Sequence, residues 1–150
     1  MKNKIELAVV EYFGYRRNII VPNVSWGIGI HECDILIVTK AKYAIEVEIK
    51  TSRADLIADK KKKHGHYSDK VRVLYFAIPE SLLDLDIIQY VPERAGIFVV
   101  NGGIISLLRK PAINKTARKL TETECLKVAH LGTMRIWNLK KKVYEKENNP

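Results

Sequence analysis

The sequence predicts an α/β fold, and three observations carry that reading. Apolar residues Ile5, Ala8, Val9 and Tyr12 recur near helical spacing at the N-terminus. Three short strand-like runs follow before the next helical stretch, and one of them, Tyr43 to Thr51, alternates cleanly between apolar and polar positions. A buried apolar run, Val71 to Ala77, comes after that second helix. The order is helix, three strands, helix, strand, then a hairpin and terminal helices.

The first helix is expected over residues 4–16, with Gly14 at or near its end. Ile19 to Val24 reads as a strand, and Pro22 places it at an edge or a bulge. Ser25 to Ile30 is a turn or loop with two glycines. Asp34 to Thr39 is the second strand and Tyr43 to Thr51 the third. In the third, Ile45, Val47 and Ile49 form one face, while Glu46, Glu48 and Lys50 form the other. Ser52 caps a second helix from about Arg53 to Lys63, with Asp55 three residues on.

After Val71 to Ala77, a short turn is expected around Leu82 to Leu85. Ile97–Val100 and Ile104–Leu108 flank Asn101-Gly102-Gly103, a hairpin signal. The last third reads as helical, about 115–147, with a Thr121/Glu124 capping box and Gly132 as a candidate break between two helices.

The 150 residues suit one domain, 1–150, with this helical extension at its end. The formal charge is +9, from 26 basic and 17 acidic residues. That excess favours a polyanionic partner. Cys33 and Cys125 form neither a closely spaced metal motif nor a secreted disulfide pattern, so free thiols and a cytoplasmic location are expected. No apolar run approaches membrane-spanning length, and no membrane partner is expected.

The chemistry concentrates at Asp34, Glu48 and Lys50. Hard divalent ions choose oxygen ligands. Asp34 and Glu48 are the first candidate ligands for Mg²⁺ or Mn²⁺, with the Ile49 carbonyl third. Such an ion activates water and neutralises charge on a phosphodiester. Lys50 would orient the water or stabilise the extra negative charge. Glu11 is the helical carboxylate best placed to assist, with Glu6 as its rival. Glu46 shares a face with Glu48, and it helps hold metal, pairs with a base or faces solvent. The plainer alternative is the solvated face of an edge strand carrying cross-strand ion pairs.

His31 either approaches a phosphate or a metal-bound water, or is an exposed loop histidine. With Cys33 it has the strand parity of a zinc pair, but no second pair lies nearby. His64 and His66 follow a lysine run and read as surface groups. Basic side chains for phosphate contact are Arg53, Lys60, Lys61, Lys62, Lys63, Lys70 and Arg72, with a second group at Lys115, Arg118 and Lys119. Trp26, Tyr43 and Tyr67 are candidates for base stacking or for packing within the protein. Trp137 reads as core or interface.

Several segments resemble the MmcB-type DNA repair nucleases within the PD-(D/E)xK superfamily. They are Cys33-Asp34-Ile35, the stretch from Val47 to Lys62, and His66 to Lys70 running into Val73 to Pro79. Ala95 to Val99 and Pro111 to Lys119 also fit. The resemblance implies a restriction-endonuclease-like α-β-β-β-α-β core, a mixed central sheet flanked by helices. It implies metal ligands at Asp34 and Glu48, the active-site lysine at Lys50, and a first-helix glutamate best matched by Glu11. Asp55, Asp59 and Lys60 match charged positions of the following helix. The sequence departs from the pattern where Cys33 replaces the expected proline and where His31 and Glu32 stand in place of an arginine. The implied function is a Mg²⁺-dependent DNA endonuclease of repair or recombination, with a homodimer able to address two strands. The alternative is a non-catalytic DNA-binding module or repair adaptor.

Overall fold

A computed structural model describes residues 1–25 and 27–149. The first helix, α1 (Lys2–Phe13), buries Ile5, Ala8 and Val9. It stops where Gly14 takes φ 75°, a left-handed value that suits glycine. Strands β1 (Ile19–Val24), β2 (Cys33–Val38) and β3 (Ala44–Ile49) follow, then α2 (Arg53–Lys60). The chain continues through β4 (Val71–Pro79), a 3₁₀ turn (Glu80–Leu82), α3 (Leu85–Ile88), β5 (Gly96–Asn101), β6 (Ile104–Arg109) and α4 (Glu122–Asn148).

The six strands form one sheet in sequence order. β1, β2 and β3 pair antiparallel. The connection through α2 makes β3 and β4 parallel, and the one through α3 makes β4 and β5 parallel. β5 and β6 form the expected hairpin, with Asn101 opposite Ile104. Its two turn residues, Gly102 and Gly103, have φ 56° and 87°, as a tight two-residue connection requires. The sheet is therefore mixed and flanked by helices, as the resemblance implied. Pro22 does lie on an edge strand, the place in a sheet where proline is tolerated.

Side-chain parity divides the core. Ile35, Ile37, Val47 and Ile49 meet Ile5, Ala8 and Val9 of α1 on one face. On the other face, Leu74, Phe76 and Ile78 pack with Leu56 of α2. Leu36 and Val38 share that second face and pack with Val128 and Leu131 of α4. The even positions of β3 lie between these two apolar blocks.

Three expectations need correction. β3 is an interior strand with neighbours on both sides, so Glu46 and Glu48 do not lie on a solvated edge. Residues 110–120 form no helix; their amides instead bond across, Asn114 N–H to the Arg72 carbonyl and Leu120 N–H to the Lys42 carbonyl. Gly132 does not divide the terminal segment, because α4 runs through it unbroken. A β-carbon there would lie 3.2 Å from the Val21 side chain, so glycine permits close crossing of α4 over β1. The capping box of α4 and the Ser52 cap of α2 both form.

Candidate active site and metal-binding cluster

Asp34 and Glu48 meet where the β2–β3 ladder ends. The last paired residues are Ile35 and Val47. Beyond them Asp34 Oδ2 accepts from the Ile49 N–H at 2.8 Å, and the Asp34 N–H points to Glu48 Oε1 at 3.4 Å. A carboxylate thus continues the ladder in place of a backbone carbonyl. Lys2 from α1 lies 2.6 Å from Asp34 Oδ1, with about half of its side chain exposed.

Lys50 sits two residues after Glu48 on the same face and donates to Glu48 Oε2 at 3.0 Å. It also donates to Asp59 Oδ1 of α2 at 2.7 Å. Lys62 reaches the same Asp59 oxygen at 2.8 Å. Asp59 Oδ2 accepts from His66 Nε2 at 2.6 Å, and His66 Nδ1 donates to Glu46 Oε1 at 2.7 Å. His31 Nε2 completes the chain on the two oxygens of Glu46, at 2.8 and 2.7 Å. Glu46, Glu48 and Lys50 are only 0, 2 and 6 % exposed, so the network is held away from bulk water.

Burial sets the acid–base character and pairing modifies it. Burial pushes Glu48 above the usual carboxylate range; Lys50 opposes that and Asp34 adds to it. Burial works against the Lys50 charge, but Glu48 and Asp59 outweigh it and raise the lysine above its ordinary value. Lys50 is therefore an ammonium at neutral pH. Burial opposes ionisation of Asp59 too, yet hydrogen bonds from His66, Lys50 and Lys62 hold it well below the usual range. His66 resists burial through Asp59 and Glu46 and is pushed up to about 9. Glu46, despite burial, is lowered by His31 and His66.

The histidines differ from expectation. His66 is buried, not a surface group, and has φ 60° in the turn after α2. His64 is half-buried and stacks on His31, with ring centroids 4.4 Å apart. Two groups of side chains have ligand atoms within 4.8 Å of one another: His31, His64 and His66, and Glu46, Glu48 and His66. A candidate metal-binding cluster is thus present. Cys33 belongs to neither group. Burial, reinforced by Glu46 and Glu48, raises its thiol strongly and opposes the thiolate a metal needs.

On α1, Glu6 is the carboxylate that feels Asp34, while Glu11 is exposed. Arg53, Lys60, Lys61, Lys62 and Lys63 are exposed around α2 and its end. Arg53 and Lys60 both approach the Tyr90 ring at 5.7 Å. Lys70 binds the Ile28 carbonyl. Arg72 lies over the Tyr43 ring at 4.0 Å, with Lys119 at 5.5 Å. Lys115 is exposed, and Arg118 pairs with Glu124. Tyr67, 73 % exposed, has Arg94 over its ring at 3.8 Å. It borders a groove of about 560 Å³ that also reaches His66, Arg72 and Asn114. Trp137 is exposed on α4, and Trp26 lies outside the described residues.

Lys62 was read only as a phosphate contact in the basic run, and Asp59 and His66 were not singled out as site residues by spacing. The one sequence signal was their place in the segments that carry the family resemblance. Among the described residues, no helix is long and apolar enough to cross a membrane.

No curated protein matches this chain. Among solved structures it is similar to the SPO1766 protein of unknown function from Silicibacter pomeroyi. That likeness has a TM-score of 0.66 at 14% identity, over 99% of this chain and 94% of that one, and it speaks to the fold alone. The family model described as DNA repair protein MmcB-like matches residues 2–143. The chain belongs to the MmcB-like family of DNA repair proteins.

Proposed function

We propose that this protein is a Mg²⁺- or Mn²⁺-dependent DNA endonuclease that hydrolyses phosphodiester bonds in repair or recombination. The observation that carries the reading is the meeting of Asp34 and Glu48 beside the Lys50 ammonium. The donors fit a hard ion, because both side chains offer oxygen. Asp34 and Glu48 would hold it, with the Ile49 carbonyl as a third candidate and Glu6 or Glu11 as the assisting carboxylate. When bound, the ion supplies charge neutralisation at the phosphate and an activated water.

The remaining work falls to the chain's own residues. Lys50, held by Glu48 and Asp59, stabilises negative charge developing on the phosphate. Its raised pKa suits a cation and not a general base. Lys62 adds a second, more exposed ammonium beside it. Arg53, Lys60, Lys61 and Lys63 contact the DNA backbone around α2, and Lys70, Arg72, Lys115, Arg118 and Lys119 extend that surface. Tyr67 offers an exposed ring for an unpaired base.

One observation favours a second reading. Glu46, Glu48, Lys50, Asp59 and His66 already satisfy one another in a continuous network. That suits a non-catalytic DNA-binding module or repair adaptor. Labelled single-stranded, duplex, flap and Holliday-junction DNAs, incubated with Mg²⁺, Mn²⁺ or EDTA, separate the two. Metal-dependent cutting supports the nuclease. Binding without cutting on every substrate supports the module.

A further inference from the structure

The hydrolysis just described gives no task to the three histidines that converge beside it. His31 precedes β2, Glu46 lies on β3, and His64 and His66 come from the turn after α2. These separate segments bring His31 Nε2 and His66 Nδ1 to the same oxygen of one buried carboxylate, Glu46 Oε1, at 2.8 and 2.7 Å. His64 lies parallel to His31 at an interplanar angle of 7° and edge-on to His66 with centroids 4.9 Å apart.

We propose that His31, His64, His66 and Glu46 form a second metal site, selective for a borderline transition ion such as Zn²⁺ and adjoining the hard-ion position at Asp34 and Glu48.

The donor chemistry argues for that selectivity. Imidazole nitrogen suits zinc, cobalt and nickel, whereas magnesium prefers oxygen and water. Three histidines and a carboxylate supply the four ligands of a tetrahedral ion. With metal–nitrogen bonds of about 2.0–2.1 Å, tetrahedral ligands stand about 3.3 Å apart. One ligand atom from each of the three histidines lies within 4.8 Å of the others. His64 must turn out of its parallel stack on His31 for both rings to aim a lone pair at one ion, while Glu46 already touches His31 and His66.

The donor nitrogen of two of the rings is already assigned by hydrogen bonds. His64 Nδ1 accepts the His66 backbone N–H at 2.9 Å, which leaves Nε2 as its metal donor. Asp59 takes His66 Nε2 at 2.6 Å and leaves Nδ1 for the ion. A carboxylate on the far nitrogen is how proteins commonly fix a ligating histidine. On binding, His31 Nε2 and His66 Nδ1 exchange their protons for the ion, and Glu46 stays in place as the anionic ligand. The ion would tie the turn carrying Lys62, Lys63 and Tyr67 to the central strand.

Co²⁺ titration of the full chain is the test, read by the intense visible absorption of a four-coordinate ion. The expected result is one Co²⁺ per chain, displaced by Zn²⁺ but not by excess Mg²⁺. His64→Ala and His31→Gln should each weaken it by about tenfold or more, with circular dichroism confirming the fold. Asp34→Asn should leave it unchanged. His64 is half-buried and outside the ion-pair network, so its variant remains informative if His31→Gln does not fold. The proposal is overturned if wild-type protein binds no Co²⁺, if neither histidine variant weakens binding, or if Asp34→Asn abolishes it. Because the readout is metal binding, it stands or falls separately from DNA cleavage.

Discussion

Asp34 Oδ2 accepts the backbone N–H of Ile49 at 2.8 Å, so a candidate metal ligand also ends the β2–β3 ladder. Its two tasks can be separated. Asp34→Asn keeps an oxygen acceptor for Ile49 and should retain most stability. Asp34→Ala leaves that N–H unpaired and should cost about 1–3 kcal/mol. Urea unfolding of the two variants checks this, and equal losses would contradict the ladder role.

Lys50 has the largest structural burden of the site. It lies between Glu48 and Asp59 with little exposure. Lys50→Ala strands buried carboxylates and should destabilise by about 3–5 kcal/mol. Denaturant midpoints test the prediction. A loss within experimental error of zero would mean that water or Lys62 replaces the ammonium freely.

Lys2 pairs with Asp34, a candidate ligand of a bound cation, and would compete with that cation. Its ammonium is 2.6 Å from Asp34 Oδ1 and half of the side chain is exposed. Exposed pairs are weak, so Lys2→Ala should tighten Mn²⁺ binding only about two- to fivefold. Titration followed by electron paramagnetic resonance measures it. Weaker binding in the variant would show that Lys2 supports the ion instead of opposing it.

The cap of α4 gives a pH signature remote from the metal sites. Arg118 hydrogen-bonds Glu124, and against the effect of burial it and Thr121 lower Glu124 to about 2 from an ordinary 4.5. A depressed carboxylate contributes stability that is present above its unfolded pKa and lost as pH falls through the folded value. The stability difference between wild type and Glu124→Gln should therefore be constant above about pH 5 and shrink between 4.5 and 2. A difference that grows on acidification would reverse the assignment. Thr121→Ala should separately cost about 1 kcal/mol through the lost cap.

Strand alternation made Glu46, Glu48 and Lys50 legible as one face, and the pairing of Leu36 with Glu46 puts Asp34 on it. The hairpin and both helix caps were readable because their turn and capping chemistry is local. Burial of that face was not readable, since it depends on α2 and α4 closing from either side. His66 was misread because a lysine run precedes it and nothing local signals its left-handed turn. Gly132 was misread for a related reason. Low helix propensity is a local property, whereas the close crossing over Val21 is a tertiary one.

The most direct measurement is single-turnover cleavage of labelled DNA in Mg²⁺ or Mn²⁺ by wild type and Asp34→Asn, with DNA affinity determined in parallel. The account predicts metal-dependent cutting by wild type, a loss of at least about a hundredfold in the variant, as expected when a charge-stabilising contact is removed, and DNA binding retained in both. Equal cutting by both proteins, or DNA binding with no cutting by wild type in either metal, would contradict it.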